Sequence, residues 1–322
     1  MRLQEFKNDN FVEAKPSNKP PITTPSQLNR QVFLMNFPLS LSTQNPNNTL
    51  MQDMSKSELK IDYNKAFEEF TSLYSFMVAQ GAIVYLLPNE GEFQDQEYVA
   101  NLGIYFPHLE NTIALSNFTS PPRRGEEKVG QKFFEQMKYD VHMCPHKWEG
   151  EAELKYLHKN VYIGGHGLRS EMASYKWMEK KFDMVVLPLK MSDPDLYHVD
   201  TLFLRLGSEK VMMPTSVLDK NDIKNIEKHT EIIDVPVDVM GTGSFNAVMC
   251  GKYIMYADLR FFKKGGKYFN QPDTKTMKGI AEYMKVVEKE TKLTPKGFDL
   301  CEFKRSGADL GCLIMHLNYR GY

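Results

Sequence analysis

The sequence lacks the features that mark several large classes of protein. Its N-terminal segment, MRLQEFKNDNFVEAKPSNKPP, has no apolar stretch of the kind found in signal peptides. No apolar run approaches the roughly 18 residues that a membrane-spanning helix needs. The net charge is -1 and no block of like charge occurs, which argues against a nucleic-acid binder and against a polybasic membrane segment. We therefore expect a soluble, cytoplasmic protein without nucleic-acid or membrane partners.

Cysteine is also scarce, and its spacing excludes a disulfide framework. The four cysteines occur without a CxxC pair, at Cys144, Cys250, Cys301 and Cys312. This usage is typical of a reduced compartment. His142, Cys144 and His146 alternate as zinc ligands would, but no fourth ligand accompanies them. We predict no metal.

What the sequence does contain is a regular alternation of strands and helices. RQVFLMNFPL, from Arg30, predicts a strand; apolar residues at helical spacing predict a helix over 62–80 that Gly81 ends; and AIVYLL predicts a buried strand. This unit recurs roughly every 50–60 residues, through TLFLRL to a last strand in LGCLIMHL. Residues 1–30 are polar and read as an N-terminal arm, and residues 31–322 as a single α/β domain.

Two segments carry the strongest chemical signals. His198 and Asp200 lie two apart at a predicted strand start, so both would project to one side and could transfer a proton and bind a cation. Cys312 follows a turn of small residues in SGADLGCLIMHL, and a distant His can activate such a thiol. The alternatives are a polar strand start for the first segment and a buried core cysteine for the second.

Acidic residues cluster in two further places. WEGEAEL carries Glu149, Glu151 and Glu153, which alternate and would share one side of an extended segment. Asp95 follows a Pro-Asn-Glu-Gly turn. A solvated edge and an ordinary acidic turn are the alternatives. GTGS and GGHG lack the third glycine of a dinucleotide site and are interpreted as turns.

Six motifs in this order resemble the pentein superfamily of guanidine-modifying enzymes, which includes arginine deiminase, dimethylargininase, amidinotransferase and arginine dihydrolase. They are FQDQEYVANLG, PRRGEE, WEGEAEL, GHGLRSEMAS, HVDTLF and SGADLGCLIMHL. The resemblance covers roughly residues 30–318. It implies a pentein α/β propeller, with five ββαβ-type units in pseudo-fivefold symmetry and the site in the central channel.

The resemblance also implies a role for each matching residue. Cys312 matches the nucleophile that forms a covalent thiouronium intermediate, His198 the general acid/base, and Glu149 a carboxylate that grips the guanidinium. The matching substrate-binding residues are Asp95, Asp200, Arg169, Arg123 or Arg124, and Asn48. No cofactor is implied, and a homodimer is compatible with the sequence.

The implied function is hydrolysis of C–N bonds in linear amidines, with arginine or a related guanidino or ureido compound as substrate. Asn48, in PNNTLM, matches an asparagine that accompanies two successive hydrolyses, which favours a dihydrolase slightly over a deiminase. HVD, where dimethylargininases have HLK, argues against methylated substrates. Three alternatives stay open: an amidinotransferase, a non-catalytic guanidino-binding member, and an unrelated α/β protein in which Cys312 and His198 lie apart.

Overall fold

Five three-stranded sheets form the β structure of residues 24–54, 59–90, 93–262 and 272–321, the part of the chain that this computed structural model describes. In chain order the strands are β1 (Val32–Met35), β2 (Ile83–Leu86), β3 (Gly103–Tyr105), β4 (Thr112–Leu115), β5 (Asp140–Met143), β6 (Leu154–His158), β7 (Val161–His166), β8 (Val185–Lys190), β9 (Leu204–Arg205), β10 (Lys210–Met213), β11 (Glu231–Asp234), β12 (Val248–Cys250), β13 (Tyr253–Ala257), β14 (Thr294–Phe298) and β15 (Met315–His316). The helices are α1 (Thr49–Asp53), α2 (Tyr63–Ala79), α3 (Glu126–Gln136), α4 (Gly150–Glu153), α5 (Met172–Phe182), α6 (Lys220–Ile226), α7 (Val237–Met240), α8 (Thr274–Thr291) and α9 (Cys301–Lys304).

Every sheet repeats one pattern of pairing. Its central strand pairs antiparallel with one neighbour and parallel with the other, as β4 does with β3 and β5. The parallel pair is joined through a helix, because parallel strands need a long crossover connection. The corresponding crossover helices are α2, α3, α5, α6 and α8.

The first sheet is assembled from both ends of the described chain. β1 pairs parallel with β2 and antiparallel with β15, with Phe33 opposite His316. Cys312 lies just before β15, so this pairing brings the C-terminal segment back to the start of the fold.

Helix α2 begins and ends close to the bounds that its sequence predicts. Asp62 caps α2 by accepting a hydrogen bond from the backbone N–H of Lys65. The helix ends before Gly81, whose φ of 86° suits glycine. Its buried side includes Phe70, Leu73 and Met77, and packs into one of five apolar clusters that fill the spaces between sheets and helices.

Most predicted elements are confirmed, and four local predictions were wrong. AIVYLL is half-buried rather than buried, because the first three residues of β2 are partly exposed and its last residue, Leu86, is exposed. TLFLRL yields only the two residues of β9, and LGCLIMHL begins with a 3-10 turn at Leu310–Leu313. WEGEAEL forms α4, so its three glutamates do not alternate along an extended segment.

Strands β3, β6 and β14 had no sequence prediction. Residues 1–23 of the predicted arm lie outside the described residues. Within the described part of the chain, no helix has the length and apolar character required to cross a bilayer.

Candidate active site

The site is centred on Glu149, a carboxylate with no solvent exposure. It stands at the N-terminus of α4, and the chain turns sharply after it, with φ of 60° at Gly150. A Cβ at Gly150 would lie 2.4 Å from the carbonyl oxygen of Ala100, so only glycine fits this turn. The turn therefore fixes where the Glu149 carboxylate points.

Three donors hold the Glu149 carboxylate. Its Oε2 lies 2.9 Å from Nε2 of His198 and 3.4 Å from a terminal guanidinium nitrogen of Arg169, while Oε1 accepts from the backbone N–H of Thr119 at 3.2 Å. Burial alone would raise the pKa of Glu149, but the His198 hydrogen bond and the Arg169 charge outweigh it and hold the pKa at about 2. Glu149 is therefore an anion at neutral pH, and it orients the imidazole.

His198 precedes a 3-10 turn that contains Asp200, so the two residues do not open a strand. The turn spans Val199–Thr201, and the Thr201 hydroxyl donates to the carbonyl of His198 at 2.6 Å. The two site residues consequently face different partners: His198 faces Glu149, and Asp200 faces Cys312. The prediction that both project from one side of a strand was wrong in its geometry.

Cys312 sits on the 3-10 turn at Leu310–Leu313. Its Sγ lies 3.8 Å from Oδ2 of Asp200 and 3.3 Å from Nδ2 of Asn246, which also donates to Asp200 at 3.2 Å. Burial and the neighbouring Asp200 and Asp309 carboxylates raise the pKa of the Cys312 thiol. In this arrangement the sulfur favours the neutral thiol.

Asp95 is held in a left-handed backbone conformation, with φ of 71°. Its Oδ2 accepts from the side-chain amides of Asn47 at 2.7 Å and Gln94 at 3.3 Å, and the buried Oδ1 has no hydrogen-bond partner among the described residues. Arg123 donates to the Asp95 carbonyl at 3.0 Å and so secures the turn. Burial raises the pKa of Asp95, and the Arg123 charge opposes that rise. A buried oxygen without a partner can accept a hydrogen bond from a ligand.

The three predicted arginines occupy different environments. Arg169 bridges Glu149 and the carbonyl of Asn47, and its guanidinium lies 4.6 Å from the ring centre of Tyr197. Arg123 is buried, pairs with Glu126 and reaches the cavity wall. Arg124 is exposed and donates to backbone carbonyls away from that wall.

One cavity brings most of the predicted residues together. Its lining includes Asp95, His198, Cys312, Arg123, Arg169 and Asn48. Cys312 and His198 therefore line one cavity. This argues against the alternative of an unrelated α/β protein in which the two residues lie apart. Asn48 caps α1 through Met51 and donates to the carbonyl of Ser306 at 2.8 Å, so its amide already serves the fold.

Sequence reasoning missed several residues at this cavity. Asn47, Tyr98 and Tyr197 line it, and Asn246 contacts the sulfur. Asn47 and Tyr98 carried a local signal, since they lie inside the PNNTLM and FQDQEYVANLG motifs.

The described residues offer little to a metal ion. The zinc-type residues of VHMCPH do not converge: Cys144 is buried, and His142 pairs with Asp140. Among the residues that the structure describes, Glu69, Asp299 and Cys301 do form a group close enough to share an ion. Lys65 already supplies a positive charge there, through ion pairs of 3.3 and 3.4 Å with the two carboxylates.

The site thus combines a thiol, an imidazole oriented by a carboxylate, and two further buried carboxylates. A planar cation with several N–H donors is the ligand such a set suits, because carboxylates bind guanidinium groups in their plane. A thiol and an imidazole on one cavity are groups that can serve as a nucleophile and a proton donor.

Comparison with known proteins identifies a matching family and several relatives. The family model described as N,N dimethylarginine dimethylhydrolase, eukaryotic, matches residues 36–269. A stretch of 171 residues, 52% of the chain, is 28% identical to the bifunctional arginine dihydrolase/ornithine cyclodeaminase AgrE of a Nostoc species. The matched part spans only 24% of that relative.

Solved structures show the same fold. The N-terminal domain of ArgZ, an arginine dihydrolase of the cyanobacterial ornithine-ammonia cycle with product bound, superposes with a TM-score of 0.72 at 22% identity, over 89% of this chain and 97% of that one. A dimethylarginine dimethylaminohydrolase adduct with S-methyl-L-thiocitrulline superposes with a TM-score of 0.63 at 14% identity, over 89% of this chain and 100% of that one.

Proposed function

The chain belongs to the N,N dimethylarginine dimethylhydrolase family of the pentein superfamily, and from that premise we propose that it hydrolyses the guanidinium group of arginine or a related guanidino or ureido compound. One observation carries the proposal: Cys312 and His198 line the same cavity as Asp95, and His198 is hydrogen-bonded to Glu149.

The first half of the reaction is attack by sulfur. The guanidinium lies between Asp95 and Asp200, and its positive charge offsets the carboxylates that keep the Cys312 thiol protonated. The Cys312 thiol releases its proton to bulk water as the thiolate forms, and the sulfur attacks the guanidinium carbon. Protonated His198 transfers its proton to the departing nitrogen, so that the C–N bond breaks, ammonia leaves, and a cationic thiouronium remains on Cys312. Glu149 stabilises the protonated imidazole that this transfer requires.

The second half returns the enzyme to its starting state. His198, now neutral, takes a proton from water as the water attacks the thiouronium carbon. The C–S bond breaks, sulfur recovers a proton, and a ureido product leaves. Repeating the cycle on that product would yield an amine, carbon dioxide and a second ammonia. These steps require no metal or organic cofactor.

The substrate's remote end and its nitrogen substituents set specificity. Arg169 and Arg123 are the cationic groups at the cavity and would hold a carboxylate, whereas the exposed position of Arg124 makes it the weaker candidate. Carboxylates that flank the guanidinium nitrogens need free N–H donors opposite them, which favours an unmethylated group. The substrate class is therefore arginine-like rather than dimethylarginine.

The fold proposal follows the same resemblance. We propose that residues 31–322 form one catalytic domain in which the five sheets close into a propeller with pseudo-fivefold symmetry. The repeated sheet pattern and the pairing of β15 with β1 support it.

Product analysis tests the activity. Purified protein is incubated with arginine, and separately with agmatine, citrulline and methylated arginines, beside a Cys312→Ala control. Citrulline and one ammonia per arginine would identify a deiminase, and ornithine with two ammonia a dihydrolase. Both products should be absent in the control.

The remaining outcomes count against hydrolysis or against its covalent mechanism. Turnover only with an added amine acceptor would make the chain an amidinotransferase. Ligand protection of Cys312 from alkylation without turnover would make it a guanidino-binding protein. Equal product from the Cys312→Ala variant would refute the covalent mechanism.

A further inference from the structure

Glu153 is a buried acid for which the mechanism above has no use. It closes the single turn of α4, four residues after Glu149, and its residue exposure is 0%. Neither of its carboxyl oxygens makes a hydrogen bond or an ion pair within the part of the chain that the structure describes. A buried ionised carboxylate without a cation is very costly, so a group in this position calls for an explanation.

The carboxyl touches the two segments that carry site residues. Its Oε2 lies 2.4 Å from the position that a Cβ on Gly165 would occupy, and the Cβ of Val199 lies 3.2 Å from that same Cβ position. The Ser170 hydroxyl is also buried and has no hydrogen-bond partner among the described residues. This hydroxyl and the backbone N–H of Val199 lie near enough to the Glu153 carboxyl to lower its pKa. Ser170 directly follows Arg169, and Val199 directly follows His198.

The surrounding charge decides the form of this acid. Burial raises the pKa of Glu153 well above its usual value, and the carboxylates of Glu149 and Asp200 raise it further. A neutral carboxylic acid can both donate and accept a hydrogen bond. It can therefore serve a hydroxyl on one segment and an amide on the other.

We propose that Glu153 is a positioning residue: a neutral acid that braces the segments bearing Arg169 and His198 against α4. Its effect on turnover rests on the proposed function, whereas its effect on the Cys312 thiol does not. The Glu153 side chain touches no reacting group in this assignment.

The test compares Glu153→Gln with Glu153→Ala, and uses the exposed acid Glu171→Gln as a matched control. Turnover of arginine, iodoacetamide alkylation of Cys312 against pH, and thermal unfolding are measured for each. Glutamine preserves a neutral donor and acceptor, so kcat/KM should stay within about threefold of the wild type. Alanine removes the brace and should lower kcat/KM by about 10- to 100-fold, as expected for a displacement of about 1 Å.

Alkylation supplies a readout that is independent of substrate. With Glu153→Gln the midpoint of the alkylation profile should not move, because no charge is lost. With Glu153→Ala it should move by about half a pH unit if Asp200 shifts by about 1 Å from the sulfur. If the wild type turns over no guanidino compound, the proposed function fails and these two midpoints still decide the role of Glu153.

Three results would overturn the proposal. Loss of activity in Glu153→Gln with a lower alkylation midpoint would mean that Glu153 is charged. Unchanged activity and midpoint in a folded Glu153→Ala would mean that it braces nothing. If Glu153→Ala fails to fold, Ser170→Ala takes its place: several-fold lower kcat/KM with native unfolding behaviour supports the brace, and wild-type turnover refutes it.

Discussion

The carboxylate of Asp200 should restrain the reactivity of the Cys312 thiol in the empty site. The two groups are 3.8 Å apart, and among the described residues the neutral amide of Asn246 is the only other side chain at hydrogen-bond distance from the sulfur. Asp200→Asn removes the negative charge while keeping a side chain of nearly equal size. We expect this variant to lose guanidinium turnover and yet to have a more reactive cysteine.

The size of the effect follows from the separation. Two unit charges at 3.8 Å repel each other by about 4 kcal/mol at an effective dielectric of about 20. Removing that repulsion lowers the pKa of Cys312 and raises the thiolate fraction at fixed pH by about a thousandfold. A less basic thiolate is also a weaker nucleophile, because the logarithm of its rate constant falls by about half as much as its pKa falls. The net rate of alkylation at fixed pH should therefore increase by about thirtyfold. Burial raises the pKa of Asp200 itself, so the difference between the proteins should grow with pH as the wild-type carboxyl ionises.

The assay is iodoacetamide alkylation of Cys312 between pH 6 and pH 10, followed by mass spectrometry of the peptide. Asp195→Asn, an exposed carboxylate on the segment leading to His198, is the matched control and should behave as the wild type. Cys312→Ser gives the background from the other cysteines. An alkylation rate in Asp200→Asn equal to or below that of the wild type would refute the electrostatic reasoning.

Three further expectations concern other parts of the site. Arg169→Lys should raise the KM for arginine by about tenfold or more but leave agmatine, which has no carboxylate, nearly unaffected; equal effects on both substrates would contradict the assigned role. Gly150→Ala should destabilise the protein by about 2 kcal/mol in urea unfolding, because its φ is positive and the added Cβ meets the Ala100 carbonyl; an unchanged midpoint would argue against this packing. Burial and the Asp95 charge raise the pKa of Glu97 from 4.5 to about 8, so ionisation of this carboxyl increasingly opposes folding as the pH rises from 4.5 to about 8. Glu97→Gln should therefore raise Tm more at pH 8 than at pH 5. A gain in Tm confined to pH 5 would show that the inferred direction is wrong.

The fold was predictable where one segment contains its own signal. The segment MASYKWMEKKF predicts α5 at its observed bounds, Met172–Phe182, because its helical apolar spacing is local. β14 was not, because TPKGF contains proline and glycine and becomes a strand only by pairing in parallel with β13. β9 is shorter than its apolar run because the Thr201 hydroxyl binds the carbonyl of His198 and favours a turn there.

The site was predictable only through the order of its motifs. Residue types alone left Cys312 as a core cysteine in one interpretation and His198 as a surface residue in another. Asn246 had no signal at all, since an amide within an apolar stretch becomes significant only when Asp200 and Cys312, distant in sequence, are packed against it. The contribution of Glu153 likewise depends on Ser170 and Val199, which only the tertiary structure brings to it.

The charges around the cavity connect binding to chemistry. Asp95 and Asp200 are buried with one carboxyl oxygen each lacking a hydrogen-bond partner among the described residues, and Asp200 keeps the thiol of Cys312 protonated. A guanidinium cation would satisfy those oxygens and favour the thiolate at the same moment, so in the proposed reaction Cys312 would become active only when the substrate is in place. The proposed thiouronium intermediate would stay cationic and keep that stabilisation, whereas a ureido product is neutral and would lose it. Hydrolysis therefore weakens the hold on its own product, and a second hydrolysis would depend on hydrogen bonds to the ureido group rather than on charge.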